Sequence, residues 1–338
     1  MEEIAEPSNS GIALPQRRLG RTGLSVFPIA LGCSGYWGNK LFPEEQAERV
    51  VLRALERGVN LLDTGHNYSA YHAEPRLGRI LERVFAVHPR SGLVISSKAG
   101  TVSPRAGIVG GHAAEVRDFS PEGIERSCLA SIRNLKCGYL DIFQLHGIGE
   151  QQITGDLLRR LEKMKASGMY NHLGINTHTP ETMRFIARHP ELFDVALVDY
   201  NVLQLDREPV IEDLYRAGVG VMAGTVLAQG HLLQGKIGRM RRPADLWYLA
   251  RALLKPSSRA LMQASRGMKL ALASVTEMSP AQAAFAYVLR NPSVSTCVLG
   301  TTRLANLDEI TGVDPALLSE ASRTGILDAF RDLSAAAR

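Results

Sequence analysis

Four polar residues of four different types stand at or just beyond the ends of short apolar runs. Asp63 ends one run, Lys98 and His146 follow two others, and Tyr68 lies five residues beyond Asp63. A tyrosine with its ordinary pKa near 10 is a poor proton donor at neutral pH, but a neighbouring ammonium lowers that pKa. Lys98 can supply this charge, Asp63 can hold the lysine by an ion pair, and His146 can donate a hydrogen bond to a substrate oxygen.

This set of side chains suits one class of reaction. A tyrosine proton donor beside a histidine hydrogen-bond donor can protonate the alkoxide that forms when a carbonyl accepts a hydride. No protein side chain supplies a hydride, so this chemistry needs a redox cofactor. Taken singly, each residue has an ordinary structural role at a loop or surface, and it is their conjunction that indicates a site.

The elements that must position these residues are eight apolar runs, which alternate with helical patterns. Such alternation is typical of a parallel sheet, and eight units predict a single (β/α)8 TIM barrel with its chemistry at the carboxyl ends of the strands. A doubly wound open sheet is the alternative, but no GxGxxG follows the first run. The predicted strands are Pro28–Leu31, Asn60–Asp63, Leu93–Ser97, Leu140–Leu145, His172–Ile175, Val195–Asp199, Val219–Met222 and Thr296–Leu299.

Two segments extend this minimal barrel. Residues 17–26 predict an N-terminal β-hairpin around Gly20 and Gly23 that closes the barrel bottom, and residues 1–16 before it predict a flexible tail. Residues 17–338 then form one domain. A long basic insertion, residues 236–269, lies between the seventh and eighth strands and holds nine lysines or arginines against one acid. It is interpreted as a solvated face, a lid over cofactor phosphates, or a membrane-surface segment.

The composition is that of an ordinary globular protein, with 45% hydrophobic and 22% charged residues among 338. Because the positive charge is concentrated in the insertion, the net charge of +5 does not indicate a nucleic-acid binder. No apolar run is long enough to span a membrane, and the four cysteines are scattered, so we expect a cytoplasmic protein with reduced thiols. No metal site is predicted, because His66, Glu74 and His112 lack the spacing of common ligand patterns.

Six segments, in chain order, read RLGRTGLSVFPIALG, GVNLLDTGHNYSAYHAEPRLGRIL, VISSKAG, YLDIFQLHGI, HLGINTHT and VLGTTRLANLDEI. Together they resemble the aldo-keto reductase superfamily over nearly the whole chain. Members of this superfamily are (β/α)8 barrels that interconvert carbonyls and alcohols with NADPH or NADH. The resemblance implies a catalytic tetrad in which Tyr68 is the general acid, Lys98 and Asp63 tune it, and His146 orients and polarises the carbonyl.

The resemblance also implies where a dinucleotide binds. The sequence after the eighth strand, ending in Arg303 at a helix start, resembles the family's site for the adenosine phosphate and favours NADPH over NADH. Asn306 departs from the usual Arg or Gln, and Asn176 replaces a hydroxyl near the nicotinamide, where Leu197 and Gly224 also depart. The implied cofactor residues are Asn176, Thr225, Leu227, Gly230, Lys236, Gly300, Thr301, Thr302, Arg303 and Asn306.

We therefore predict an NADPH-dependent oxidoreductase that interconverts an aldehyde or ketone and its alcohol. His146, where the steroid double-bond reductases of the family carry Glu, favours carbonyl chemistry. The alternative is a dinucleotide-binding regulatory protein that resembles potassium-channel beta subunits, which the departures at Leu197 and Gly224 keep open. The physiological direction and the oligomeric state stay open as well. Candidate residues of the substrate pocket are Tyr36, Trp37, Tyr71, His112 and Trp247.

Overall fold

The computed structural model describes residues 14–102, 116–230, 232 and 266–336. Residues 1–13, His112, Lys236, Trp247 and the basic insertion up to residue 265 lie outside the described residues, so the predictions made for them are not tested.

Two strands, β1 (Arg17–Arg18) and β2 (Ser25–Val26), form the predicted antiparallel hairpin. Eight parallel strands then close into the predicted barrel. These strands are β3 (Ile29–Gly32), β4 (Leu61–Asp63), β5 (Val94–Ala99), β8 (Leu140–His146), β9 (Tyr170–Thr177), β10 (Val195–Asp199), β11 (Gly220–Gly224) and β12 (Thr296–Gly300).

The barrel closes where its first and last strands pair, with Leu31 opposite Leu299. Several strands continue beyond the predicted carboxyl ends. Lys98, His146 and Asn176 were expected to follow their strands, but each lies within one, and His146 is paired with Asn176 in the ladder. The reason is that backbone pairing inside the barrel continues through these polar residues, whereas the apolar pattern ends before them.

Helices cover the outside of the barrel. Serine caps begin two of them: Ser120 accepts a hydrogen bond from the Gly123 N–H at 3.1 Å, and Ser279 forms a capping box with Gln282. The helices are α1 (Glu44–Glu56), α2 (Ala73–Phe85), α3 (Pro121–Leu135), α4 (Gly155–Ala166), α5 (Pro180–Arg188), α6 (Glu208–Arg216), α7 (266–273), α8 (Pro280–Leu289), α9 (Leu304–Thr311) and α10 (Glu320–Ala336).

The hairpin closes the bottom of the barrel, as predicted. Leu19, fully buried, packs inside the barrel in a cluster with Ala30, Leu61 and Met222. Gly20 has a φ of +53°, and a Cβ there would lie 2.3 Å from the backbone nitrogen of Gly220. Glycine is therefore required where the hairpin meets the strands.

Helices α2 and α3 approach each other closely on the outside of the barrel. A Cβ at Gly78 in α2 would lie 1.8 Å from the carbonyl oxygen of Asn134 in α3. These two helices precede and follow β5, the strand that carries Lys98. Their close packing therefore supports β5 from outside the barrel.

A second hairpin, not predicted from the sequence, lies after β5. Its strands, β6 (Thr101–Val102) and β7 (Val116–Arg117), pair antiparallel. Two residues are too few to give a periodic pattern, so the sequence offers no signal for either strand. The hairpin places Arg117 at the carboxyl-terminal face of the barrel.

The four cysteines are all buried and unpaired. Burial raises the pKa of the Cys137 thiol to about 11 and also raises the pKa of Cys33, Cys128 and Cys297. Each thiol is therefore neutral and unreactive in the fold. Within residues 14–102, 116–230 and 266–336, no helix combines the length and hydropathy needed to cross a bilayer.

Candidate active site

Lys98 and Asp63 form a buried ion pair at the carboxyl-terminal end of the barrel. Lys98 Nζ lies 2.5 Å from Asp63 Oδ2 and donates to the carbonyl oxygen of Thr64 at 2.7 Å. The lysine is 1% exposed and the aspartate 4% exposed. Burial opposes the charge of Lys98, but Asp63 and Tyr68 outweigh it and raise the pKa of the ammonium. A fixed positive charge thus lies inside the barrel mouth.

The second carboxylate oxygen of Asp63 is held by two further residues. Ser96 Oγ donates to Asp63 Oδ1 at 2.8 Å, and Gln144 Nε2 donates to the same oxygen at 3.1 Å. Both residues are fully buried. Sequence reasoning missed them, although each is a polar residue within an apolar strand, which is a signal for an inward-facing network.

The ring of Tyr68 lies between the ion pair and His146. Lys98 Nζ is 5.0 Å from the ring centroid of Tyr68. The Tyr68 and His146 rings meet edge to face, with their centroids 5.7 Å apart. Burial raises the pKa of Tyr68, and the charge of Lys98 offsets this only in part. Lys98 thus lowers the pKa of Tyr68 as expected, but burial outweighs it, and Tyr68 keeps its proton at neutral pH.

The loop that carries Tyr68 has an unusual backbone. Ser69, Ala70 and Tyr71 follow Tyr68 with φ values of 52°, 51° and 69°. Left-handed backbone costs a non-glycine residue roughly 1–2 kcal/mol. Contacts to the loop after β3 hold it: Ser69 Oγ donates to the Gly35 carbonyl and accepts from the Gly38 N–H at 3.1 Å. The turn fixes the direction in which the Tyr68 side chain leaves the backbone.

A buried carboxylate braces the same loop from the helix side. Glu74 is 1% exposed, and its Oε1 accepts from Ser97 Oγ at 2.6 Å. Its Oε2 lies 3.2 Å from Asn134 Nδ2 and 3.3 Å from His66 Nδ1. The His66 ring contacts Tyr71, with the centroids 5.1 Å apart. Glu74 and His66 thus serve as supports of the loop, and no group of three metal-ligating side chains occurs among the described residues.

His146 is neutral at physiological pH. Burial, followed by the charge of Lys98, lowers the pKa of its imidazole to about 3. Its Nδ1 is buried and has no hydrogen-bond partner within the described part of the chain. A neutral imidazole offers one N–H donor and one acceptor. The ring can therefore donate a hydrogen bond to a substrate oxygen without carrying charge.

The residues proposed for the nicotinamide end lie close to this histidine. Asn176 is buried, and its Nδ2 donates to the carbonyl oxygen of Leu197 at 3.1 Å. This bond leaves the amide oxygen of Asn176 as an acceptor for an amide N–H. Leu197 is apolar and Gly224 has no side chain; a Cβ added at Gly224 would lie 3.4 Å from Leu197 Cδ1. The site therefore offers a cofactor amide one polar anchor here.

The residues proposed for the adenosine phosphate surround the start of α9. Arg303 is exposed at the N-cap position, and no side-chain cap satisfies the first N–H groups of this helix. Thr301 Oγ1 accepts from the Arg303 N–H at 3.2 Å, Thr302 lies between them and Gly300 precedes them. A guanidinium beside free helix N–H groups fits a phosphate. Asn306 lies half-buried in the first turn of the helix.

The turn after β11 holds the residues proposed for the pyrophosphate. Thr225 and Ala228 have φ values of 53° and 46°. Asn201 Nδ2 donates to the Thr225 carbonyl at 3.1 Å, and Leu227 packs partly buried against the core. The turn ends at Gly230, directly before the segment that lies outside the described residues.

The aromatic residues proposed for the substrate pocket separate into two groups. Trp37 is 1% exposed and packs edge-on against Phe42 with centroids 5.4 Å apart, so it belongs to the core and offers no free surface to a substrate. Tyr36 lines a cavity of about 450 Å³ together with Ser69, Ala70 and other residues of the two loops. Tyr71 lies half-buried beside that cavity, on the Tyr68 loop.

Comparison with known proteins identifies the family. The family model described as "Aldo/keto reductase family" matches residues 28–326, and the chain belongs to this family of oxidoreductases, whose members use nicotinamide cofactors. The resemblance to aldo-keto reductases that the sequence shows over nearly the whole chain is thereby confirmed. A probable aldo-keto reductase 1 of Glycine max is 25% identical, with 92% of this chain and 88% of the relative covered. The L-glyceraldehyde 3-phosphate reductase of Escherichia coli (strain K12) is 28% identical, with 90% and 89% covered.

Solved structures share the fold. The glycerol dehydrogenase of Gluconobacter oxydans superposes with a TM-score of 0.72 at 20% identity, and covers 94% of this chain and 95% of its own. An aldo-keto reductase of Bacillus halodurans in its holo form gives a TM-score of 0.70 at 22% identity, with 93% and 96% covered. At these identities the likeness establishes the (β/α)8 barrel.

Proposed function

We propose that this protein is an NADPH-dependent reductase of aldehydes or ketones in which Tyr68 is the general acid. One observation carries the proposal: the buried Lys98–Asp63 pair, the Tyr68 ring and the His146 ring are in contact at the barrel mouth. A neutral phenol beside a neutral imidazole offers two donors to one carbonyl oxygen. Reduction of a carbonyl requires donors of this kind, because negative charge develops on that oxygen.

The side chains divide the work in the proposed mechanism. His146 donates a hydrogen bond that orients and polarises the carbonyl, and Tyr68 transfers its proton to the carbonyl oxygen as the alkoxide forms. Lys98 stabilises the phenolate that remains, and Asp63 holds Lys98 in place. A bound nicotinamide supplies the hydride in this reaction. Oxidation of an alcohol uses the same residues in reverse.

The cofactor preference rests on the start of α9. Arg303 and the uncapped N–H groups favour the extra phosphate of NADPH, with Gly300, Thr301, Thr302 and Asn306 around it. Asn176 would anchor the carboxamide, and the turn from Thr225 through Leu227 to Gly230 would lie along the pyrophosphate. Lys236 is proposed for the same group from the sequence.

The regulatory alternative is less well supported. Leu197 and Gly224 reduce the polar anchors at the nicotinamide end, which is compatible with a protein that senses a dinucleotide. A sensor does not need a buried ion pair aimed at a tyrosine, however, and burying that pair is costly. The names of the relatives, a glyceraldehyde phosphate reductase and a glycerol dehydrogenase, support carbonyl–alcohol chemistry instead.

The test is turnover by wild-type protein and by Tyr68→Phe. Oxidation of NADPH is followed with a panel of aldehydes and ketones, and NADPH binding is measured separately by calorimetry. We expect Tyr68→Phe to lower kcat by about 100-fold or more while the Kd for NADPH stays within about twofold. Tyr215→Phe, on the exposed face of α6, is the matched control. Turnover by Tyr68→Phe at the wild-type rate would overturn the proposal.

A further inference from the structure

Arg117 lies directly beside the catalytic histidine. Its Nη1 donates to the carbonyl oxygen of Gly147 at 2.6 Å, and Gly147 follows His146 in the chain. A Cβ at Gly147 would lie 3.6 Å from the guanidinium carbon of Arg117. The guanidinium therefore lies within van der Waals distance of the backbone next to His146.

Among the described residues, no acidic side chain pairs with Arg117. Within the described residues no carboxylate lies within 4.0 Å of its guanidinium, whereas Arg79, Arg83 and Arg160 each pair with a glutamate. Arg117 is exposed, and one of its nitrogens is engaged by Gly147. A guanidinium has five N–H donors, so most of them remain available for an anion.

A second side chain with an N–H donor lies across the ends of the neighbouring strands. The Gly147 N–H donates to the Asn176 carbonyl at 2.9 Å, and His178 follows two residues later. His178 Nδ1 lies 2.8 Å from Asp199 Oδ2. The hydrogen bond to Asp199 raises the pKa of His178, which favours the imidazolium. Its Nε2 is then a second N–H donor.

Arg207 links the carboxyl-terminal ends of β9 and β10, at the rim of the barrel. It donates to the backbone carbonyl of Asp199 at 2.6 Å and to that of His178 at 3.0 Å. The described residues at the ends of β8, β9 and β10 therefore place Arg117, His178 and Arg207 together beside the carboxylate of Asp199. After burial and Lys98, the charges of His178 and Arg117 contribute to the low pKa of His146. These charges disfavour the addition of a proton to the imidazole of His146.

We propose that Arg117 and His178 form a subsite for an anionic group on the carbonyl substrate, a carboxylate or a phosphate, which is held beside His146. This inference rests on the proposed function, because it assigns the substrate class of the same site. A fork of guanidinium donors binds either anion, and His178 adds an N–H donor from the end of the neighbouring strand.

The kinetic test compares substrates that differ only in the charged group. The ratio of kcat/KM for 4-carboxybenzaldehyde to that for benzaldehyde is measured with wild-type protein, Arg117→Gln and Arg117→Lys. We expect Arg117→Gln to lower this ratio about tenfold or more, and Arg117→Lys to restore part of it. The ratio of kcat/KM for 4-formylphenyl phosphate to that for benzaldehyde, measured in the same way, shows whether the subsite prefers a phosphate or a carboxylate.

A surface arginine provides the control for net charge. Arg216 lies at the end of α6, at the opposite end of the barrel from the catalytic residues, and pairs with Glu212. Arg216→Gln removes one positive charge without touching the rim. We expect it to keep the wild-type ratio. An equal loss in both variants would assign the effect to net charge and overturn the subsite.

A binding measurement separates failure of the subsite from failure of the proposed function. Calorimetry with 4-carboxybenzyl alcohol and benzyl alcohol needs no turnover, and we expect Arg117→Gln to bind the carboxylated alcohol about tenfold more weakly than wild type. If carbonyls are reduced but the ratio is unchanged in Arg117→Gln, the subsite is wrong and the reductase stands. If no carbonyl is reduced but the charged alcohol binds through Arg117, the subsite stands and the reductase is wrong. Equal binding of 4-carboxybenzyl alcohol by wild type and Arg117→Gln would overturn the subsite.

Discussion

The Lys98 ammonium and the Asp63 carboxylate lie 2.5 Å apart inside the barrel, although they come from different strands. Neither charge is solvated, so each depends on the other for stabilisation. Removing one partner of such a pair typically costs about 3–5 kcal/mol, because it leaves an unpaired buried charge.

Lys98→Met should therefore destabilise the protein by about 3–5 kcal/mol and nearly abolish turnover, since Tyr68 loses the charge that stabilises its phenolate. Urea unfolding and steady-state kinetics measure the two effects. The double variant Asp63→Asn with Lys98→Met should recover much of the stability but none of the activity. Lys165→Met, which removes a half-exposed lysine 3.3 Å from Asp194, should cost about 1 kcal/mol or less. Activity in the double variant would contradict the role given to Lys98.

His146 should make stability depend on pH below neutrality. Burial, with Lys98 second, lowers the pKa of His146 to about 3 in the fold, whereas the unfolded chain titrates near 6.5. Between these values the unfolded state binds more protons, so the free energy of unfolding falls as the pH falls. The residue contributes at most about 1.4 kcal/mol per pH unit. Urea unfolding of wild type and His146→Gln from pH 6.5 to 4.5 measures it, and parallel pH curves would refute the assignment.

Gly78 should resist a substitution that normally stabilises a helix. Alanine in a helix is usually favoured over glycine by about 0.5–1 kcal/mol. At Gly78, however, the new Cβ would meet the Asn134 carbonyl at 1.8 Å, so α2 and α3 must separate. We expect Gly78→Ala to destabilise the protein by about 1–3 kcal/mol or more in urea unfolding. Gly325→Ala in α10, where nothing lies within 4 Å, should be stabilising.

Arg303 should set the preference between the two nicotinamide cofactors. Its guanidinium and the free N–H groups of α9 favour the extra phosphate of NADPH. We expect Arg303→Gln to lower the ratio of NADPH to NADH affinity by about tenfold in calorimetric titrations, and more weakly at high salt. Arg331→Gln, on an exposed face of α10, is the control. An unchanged ratio would place the phosphate elsewhere.

The fold was predictable because alternating apolar runs and helical patterns report directly on burial. All eight barrel strands follow from them, and Gly20 and Gly23 indicate the closing hairpin. The sequence prediction ends three strands too early, before Lys98, His146 and Asn176. These residues are polar, so the apolar pattern stops before them, whereas backbone pairing in the barrel continues through them.

The site was predictable to the extent that single residues carry chemical identity. Ser96 and Gln144 were missed because their role arises from three strands meeting at Asp63, which no local pattern records. Trp37 was expected at the pocket because aromatic residues in loops often face ligands, but Phe42 covers it. The left-handed turn after Tyr68 contains no glycine at those positions, so its backbone could not be anticipated.

The buried cysteines make the native protein inert toward thiol reagents. Alkylation of a thiol requires the thiolate and access to solvent, and Cys33, Cys128, Cys137 and Cys297 lack both in the folded state. Any labelling must therefore proceed through opening of the structure around a cysteine. The rate at which a disulfide dye reacts with this protein therefore measures how often these cysteines become exposed, without any engineered probe.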